Sequence, residues 1–78
     1  MDFDKNKVDN ATLALLWLVM SKNRFGGASA WKGFDWGVLG RLHDKGMIDN
    51  PVGEVKSVVF TQEGLERAKA LFEAMFKM

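Results

Sequence analysis

The chain contains no cysteine. Disulfides, thiolate metal sites and cysteine nucleophiles are therefore excluded, nothing argues for an oxidising compartment, and a cytoplasmic setting is expected. Histidine is nearly absent too. The single one, His43, cannot supply a metal triad or a Ser-His-Asp set within one chain, and it is expected to be a helix-surface or partly buried residue. No cofactor or metal is implied, and with no carboxylate pair set in an apolar stretch an enzyme is not expected. The longest apolar run, Leu13 to Met20, falls far short of the roughly 18–20 residues that span a bilayer. The opening MDFDKNK alternates in charge, unlike a secretory leader.

Strong charge of either sign is also missing, since the net charge is +1. What excess there is lies in the middle, where Lys22, Arg24, Lys32, Arg41 and Lys45 stand against Asp35 and Asp44 over residues 22–45. That is a mild basic bias, well below the patch of a committed nucleic-acid binder. Gly26-Gly27 reads as a turn, because no Gly-Lys-Ser/Thr follows to complete a phosphate loop.

What the chain has is apolar surface. Of its 78 residues 47% are hydrophobic, with six Phe, three Trp and five Met. A single domain of this size buries only about 60–65% of the surface its unfolded form exposes. The load is heavy for so small an interior, so a homodimer that covers part of it is expected.

The pattern places a first helix over about Val8 to Lys22, capped by Asp9 or Asn10, with residues 1–7 as a flexible tail. Its interior is apolar on every side, which makes it either the central helix or a helix with one face on a partner chain. Residues 23–34 are broken by glycines and leave room for one short helical turn around Ala28 to Lys32. Asp35 then caps a helix from about Trp36 to Lys45, whose Trp36, Leu39 and Leu42 form a buried stripe. Gly46 is expected to end it in a left-handed conformation.

Met47-Ile48 begins a short strand, Asn50-Pro51-Val52-Gly53 turns the chain, and Lys56 to Phe60 returns as a strand rich in β-branched residues. Thr61 caps the last helix, Gln62 to about Lys77, and Gly64 lets that helix start close against a neighbour. Leu65, Ala68, Leu71, Phe72, Met75 and Phe76 follow helical spacing, with charged residues opposite them.

LGRLHDKGMI at 39–48 and SVVFTQEGLERA at 57–68, in this order, resemble the recognition helix, wing and following helix of winged helix-turn-helix regulators. The whole chain, with AWKGFDW at 30–36, is similar to a family of small bacterial proteins that is a domain of unknown function. The resemblance implies an α+β, mostly α domain over residues 1–78. It has three helices, the second of them short or absent, and a two-stranded β-hairpin wing. It also implies double-stranded DNA as a partner, in the manner of a transcriptional regulator, with Lys32, Arg41, Lys45 and Lys56 aimed at the duplex. The wing tip, Asn50 to Glu54, carries no basic residue, and the exposed side of the recognition helix offers only Arg41, Asp44 and Lys45 beside two glycines. The alternative is a protein-interaction or dimerisation module of the same fold.

Trp31, Phe34 and Trp36 crowd three aromatics into six residues beside Lys32. Two readings stand: the rings seal the core where the second helix is short, or they form an exposed interaction surface, a stacking platform with a cation beside it.

Overall fold

The computed structural model of the protein describes residues 1–22, 27–53 and 56–78. Gly26 of the Gly26-Gly27 turn, Arg24 of the basic segment and Glu54 of the wing tip lie outside the described residues. Helix α1 spans Lys5–Leu18 and starts earlier than the apolar pattern indicates, because Asp4 rather than Asp9 or Asn10 is its cap. The Asp4 side chain accepts from the Lys7 amide at 3.1 Å, satisfying one of the free donors of the first turn.

Strands β1 (Ser21–Lys22) and β2 (Ala28–Trp31) follow, then α2 (Trp36–Asp44), β3 (Ser57–Val59) and α3 (Gln62–Phe76). The three strands form one antiparallel sheet in the order β1-β2-β3. This α+β, mostly helical arrangement of three helices and a small sheet is consistent with a winged-helix-like one.

Two local expectations change. The stretch expected to form a helical turn, Ala28 to Lys32, is instead mostly strand, because Ala30 and Trp31 pair with Val58 and Ser57 of β3. The wing is accordingly not a free two-stranded hairpin. The Met47-Ile48 strand contributes a single bridge, Ile48 to Phe60, reinforced by the Asp49 amide donating to the Val59 carbonyl at 2.8 Å, while the main partner of β3 is β2.

Sheet register sorts the side chains by face. Ala28, Ala30, Val58 and Phe60 are buried, whereas Ser29, Trp31, Ser57 and Val59 point the other way, as the period of two requires. The buried face meets Leu13 and Leu16 of α1, Leu39 and Leu42 of α2 and Ala68 of α3 in one core.

The end of α2 shows how closely local chemistry is obeyed. Gly46 sits at φ +77°, its amide donates to the His43 carbonyl at 2.9 Å, and the Met47 amide donates to the Leu42 carbonyl at 3.0 Å. These two bonds make a Schellman motif that satisfies the last carbonyls of the helix. Thr61 caps α3 by accepting from the Gly64 amide at 2.9 Å.

Helix α1 is not buried all round. Leu15, Leu18 and Val19 are exposed, and so are Met75 and Phe76 at the end of α3. Its buried side, by contrast, includes one carboxylate, that of Asp9. No helix among the described residues is long and apolar enough to cross a membrane.

Candidate functional site

Four cations and three aromatic rings stand out in the sequence, and the fold sends them to two different places. Arg41 and Lys45 lie one turn apart on α2, on the side that faces α1. There they close on Asp9, whose side chain is fully buried. Arg41 donates from Nε to both carboxylate oxygens, at 3.0 and 2.9 Å, and from its terminal nitrogen to Oδ1 at 2.8 Å. Lys45 Nζ donates to Oδ2 at 2.9 Å and to the Asn6 side chain at 3.1 Å.

Burial pushes the Asp9 carboxyl up, but the hydrogen bonds and charges of Arg41 and Lys45 outweigh it and hold the group below its ordinary value. The Asp9 hydrogen bond in turn raises the Arg41 guanidinium. Both cations are thus engaged within the protein, tying α2 to α1.

Lys32 is also engaged. Its Nζ donates to the carbonyls of Pro51 at 2.8 Å and Gly53 at 3.1 Å, which pins the wing tip, and it sits 5.4 Å from the centre of the Trp36 ring. Its backbone amide donates to the Lys56 carbonyl at 2.9 Å, so Lys56 runs alongside. The Lys56 side chain has no partner among the described residues.

The aromatic cluster divides in the same way. Phe34 packs against the core, as the sealing role requires. Trp31 and Trp36 do not seal anything: they are 63% and 59% exposed. Trp31 stands on the open face of the sheet and folds back over Gly33, so that a Cβ at position 33 would fall within its ring. Trp31, Lys32, Gly33 and Lys56 line an open depression of about 290 Å³. A second cleft of about 380 Å³ has Leu13, Leu42 and Met47 for a floor and Asn6, Lys45 and Arg67 among its rim. Lys45 already spends its charge on Asp9 there.

His43 is exposed, and its Nδ1–H donates to the Ile48 carbonyl at 3.0 Å, a structural role at the α2 end. Among the described residues no three His, Cys, Asp or Glu side chains are grouped to hold a metal ion.

Two participants carry no local signal in the sequence. Asp9 looks like a helix cap, and only its partners 32 and 36 residues downstream reveal it as a buried counterion. Gly33 looks like a chain breaker, and its role as the seat of a ring depends on where Trp31 turns.

The family model for a domain of unknown function, DUF6429, matches residues 4–78. An uncharacterized protein of Sinorhizobium fredii (strain NBRC 101917 / NGR234), y4hR, is 49% identical over 76 residues, which cover 97% of this chain and 97% of that protein. No solved structure matches the chain.

Proposed function

The chain belongs to the DUF6429 family, a domain of unknown function, and from that premise and its own geometry we propose that it is a nucleic-acid-binding module of winged-helix-like build. It acts in the cytoplasm, which suits a chain without cysteine. It engages its ligand through the Trp31, Lys32 and Lys56 edge of the sheet rather than through the exposed side of α2.

The observation that carries this reading is how the cations are held. A recognition helix needs free donors toward the groove. On α2, Arg41 and Lys45 are committed to a buried carboxylate, and Gly37 and Gly40 offer no side chain. At the sheet edge, the Lys56 side chain has no partner among the described residues, and two exposed indoles flank a lysine with a fixed ammonium group.

Fluorescence anisotropy at low salt, with a mixed-sequence fragment offered as duplex and as separated strands, tests it. Lys56→Ala is expected to weaken binding to whichever form is bound, while Lys45→Ala leaves affinity unchanged. With about two phosphates neutralised, the slope of log affinity against log salt is expected near −1 to −2. Loss of binding in Lys45→Ala with none in Lys56→Ala would return the interface to α2, and no binding to either form would end the nucleic-acid reading.

A homodimer is the second reading, favoured by the exposed Leu18, Val19, Met75 and Phe76 at the ends of α1 and α3. Four large apolar side chains left open in so small a domain suit an isologous contact between two copies. The same preparations, run through size exclusion with light scattering at tens of micromolar, are expected to show the mass of two chains; a single-chain mass removes the dimer.

A further inference from the structure

We infer that the Trp31 platform is a base-stacking site that takes a planar nucleobase carrying a phosphate, and that it therefore selects unpaired strands or free nucleotides over duplex. This rests on the nucleic-acid reading above and narrows it to one chemistry.

The first support is the seat of the ring. The Trp31 indole lies so close over Gly33 that any Cβ there would intrude into it. The backbone at Gly33 is not in the left-handed region, where among the described residues only Gly46 and Gly53 are found. The glycine is thus explained by the ring rather than by a turn. The six-membered end of the indole lies against Gly33, and 63% of the residue remains exposed to solvent. An exposed ring resting against a glycine is a surface on which a base stacks.

The second support is the charge beside it. Lys32 Nζ gives two of its three hydrogens to the carbonyls of Pro51 and Gly53, which fixes its position and leaves one donor. Lys56 lines the same depression with no partner among the described residues. Two lysines lining the same depression as the indole match a phosphate attached to a stacked base. Trp36, with Lys32 within cation–π distance of its ring, offers a second aromatic surface to the neighbouring nucleotide of a strand.

The third support is what the site lacks. A duplex hides the faces of its bases and presents phosphates and base edges. Reading those edges needs a protruding helix or ribbon with free polar side chains, and the open sheet face offers instead Trp31 and Val59 with the two serines, Ser29 and Ser57. A phosphate-bearing base is the ligand whose surfaces match an apolar plane edged by cations.

The test compares the full chain with its variants in fluorescence anisotropy against a labelled ten-nucleotide single strand and against the same sequence as duplex, at 50 mM salt, with unlabelled AMP as competitor. The single strand is expected to bind at least about 10-fold tighter than the duplex. Trp31→Ala is expected to cost about 10-fold or more in single-strand affinity, and Trp31→Phe to retain most of it, because any flat ring stacks. Gly33→Ala is expected to match Trp31→Ala, since the ring must leave its seat, with circular dichroism and thermal melting confirming that each variant is folded. Competition by AMP at concentrations comparable to the strand's nucleotide content assigns the site to free nucleotides, and absence of competition assigns it to strands; both outcomes keep the stacking chemistry. Equal or tighter duplex binding that Trp31→Ala leaves intact overturns the inference while sparing the nucleic-acid reading. Absence of binding to strand, duplex and AMP alike overturns both.

Discussion

Gly64→Ala is expected to destabilise the protein by about 3 kcal/mol, because a Cβ at that position would be driven into the backbone carbonyl of Met47. A flexible side chain can swing aside from such an intrusion, but this carbonyl cannot. It accepts from the Thr61 amide at 3.1 Å and from the Thr61 hydroxyl at 3.2 Å, while the same hydroxyl donates to the Gly46 carbonyl at 2.6 Å. These bonds fasten the start of α3 to the Schellman turn that ends α2. An extra methyl group must lift the first turn of α3 away, and the displacement carries Leu65 and Ala68 out of the core they help to close. Denaturant titration measures the effect as a fall in midpoint at unchanged slope. Gly40→Ala is the control: nothing lies within 4 Å of the added Cβ, so it is expected to leave stability unchanged or raise it by about 0.5–1 kcal/mol. A loss below about 1 kcal/mol at position 64, or equal losses at both positions, would contradict the close approach of α3 to Met47.

That approach is an example of what the sequence makes legible. Thr61, Gly46 and Asp35 act through neighbours three or four residues away, so residue type and spacing state the role directly, and Gly64 signals a close approach without naming Met47 as its partner. Asp35 accepts from the Val38 amide at 3.2 Å as an N-cap should. The α3 stripe is equally readable, because helical periodicity repeats within one element. Strand β2 is the opposite case. ASAW has two alanines, little strand preference and no long alternation, and it becomes a strand only because β3, about 28 residues later, offers it a ladder. The candidate site shares this limit. Composition alone flags Trp31, Trp36 and Lys32, but which rings are buried depends on the face of a strand that the sequence does not announce. Phe34 packs inward and Trp31 outward. The commitment of Arg41 and Lys45 to Asp9 is likewise a property of how α1 crosses α2, and no pattern within either helix predicts it.

Asp9→Asn tests that crossing through its charge. The carboxylate is fully buried, and both its oxygens accept from Arg41, with Lys45 adding a further bond. Burial alone would penalise its negative charge, so the ionised form persists only because two cations converge on it. The amide keeps the shape but gives up the charge and puts an NH₂ against donors, leaving the Arg41 fork short of an acceptor. The expected cost at pH 7 is about 2 kcal/mol, the scale of hydrogen bonds to a charged group. Acid then supplies the sign. The folded-state value of Asp9 lies below that of the unfolded chain, so its contribution is complete above the ordinary carboxylate range, about pH 4–5. It is lost as the pH falls through that range toward the depressed folded value. The stability difference between the two proteins is therefore expected to be constant from pH 5 to 7 and to shrink below about pH 4. The asparagine variant should show a shallower acid transition than the parent. Salt should change the difference little, since a fully buried carboxylate is poorly screened. A difference that stays constant down to pH 2.5 would mean that the Asp9 charge adds nothing to the tie between α1 and α2. Arg41 and Lys45 would then be free to turn outward, and the exposed side of α2 would return as the nucleic-acid face.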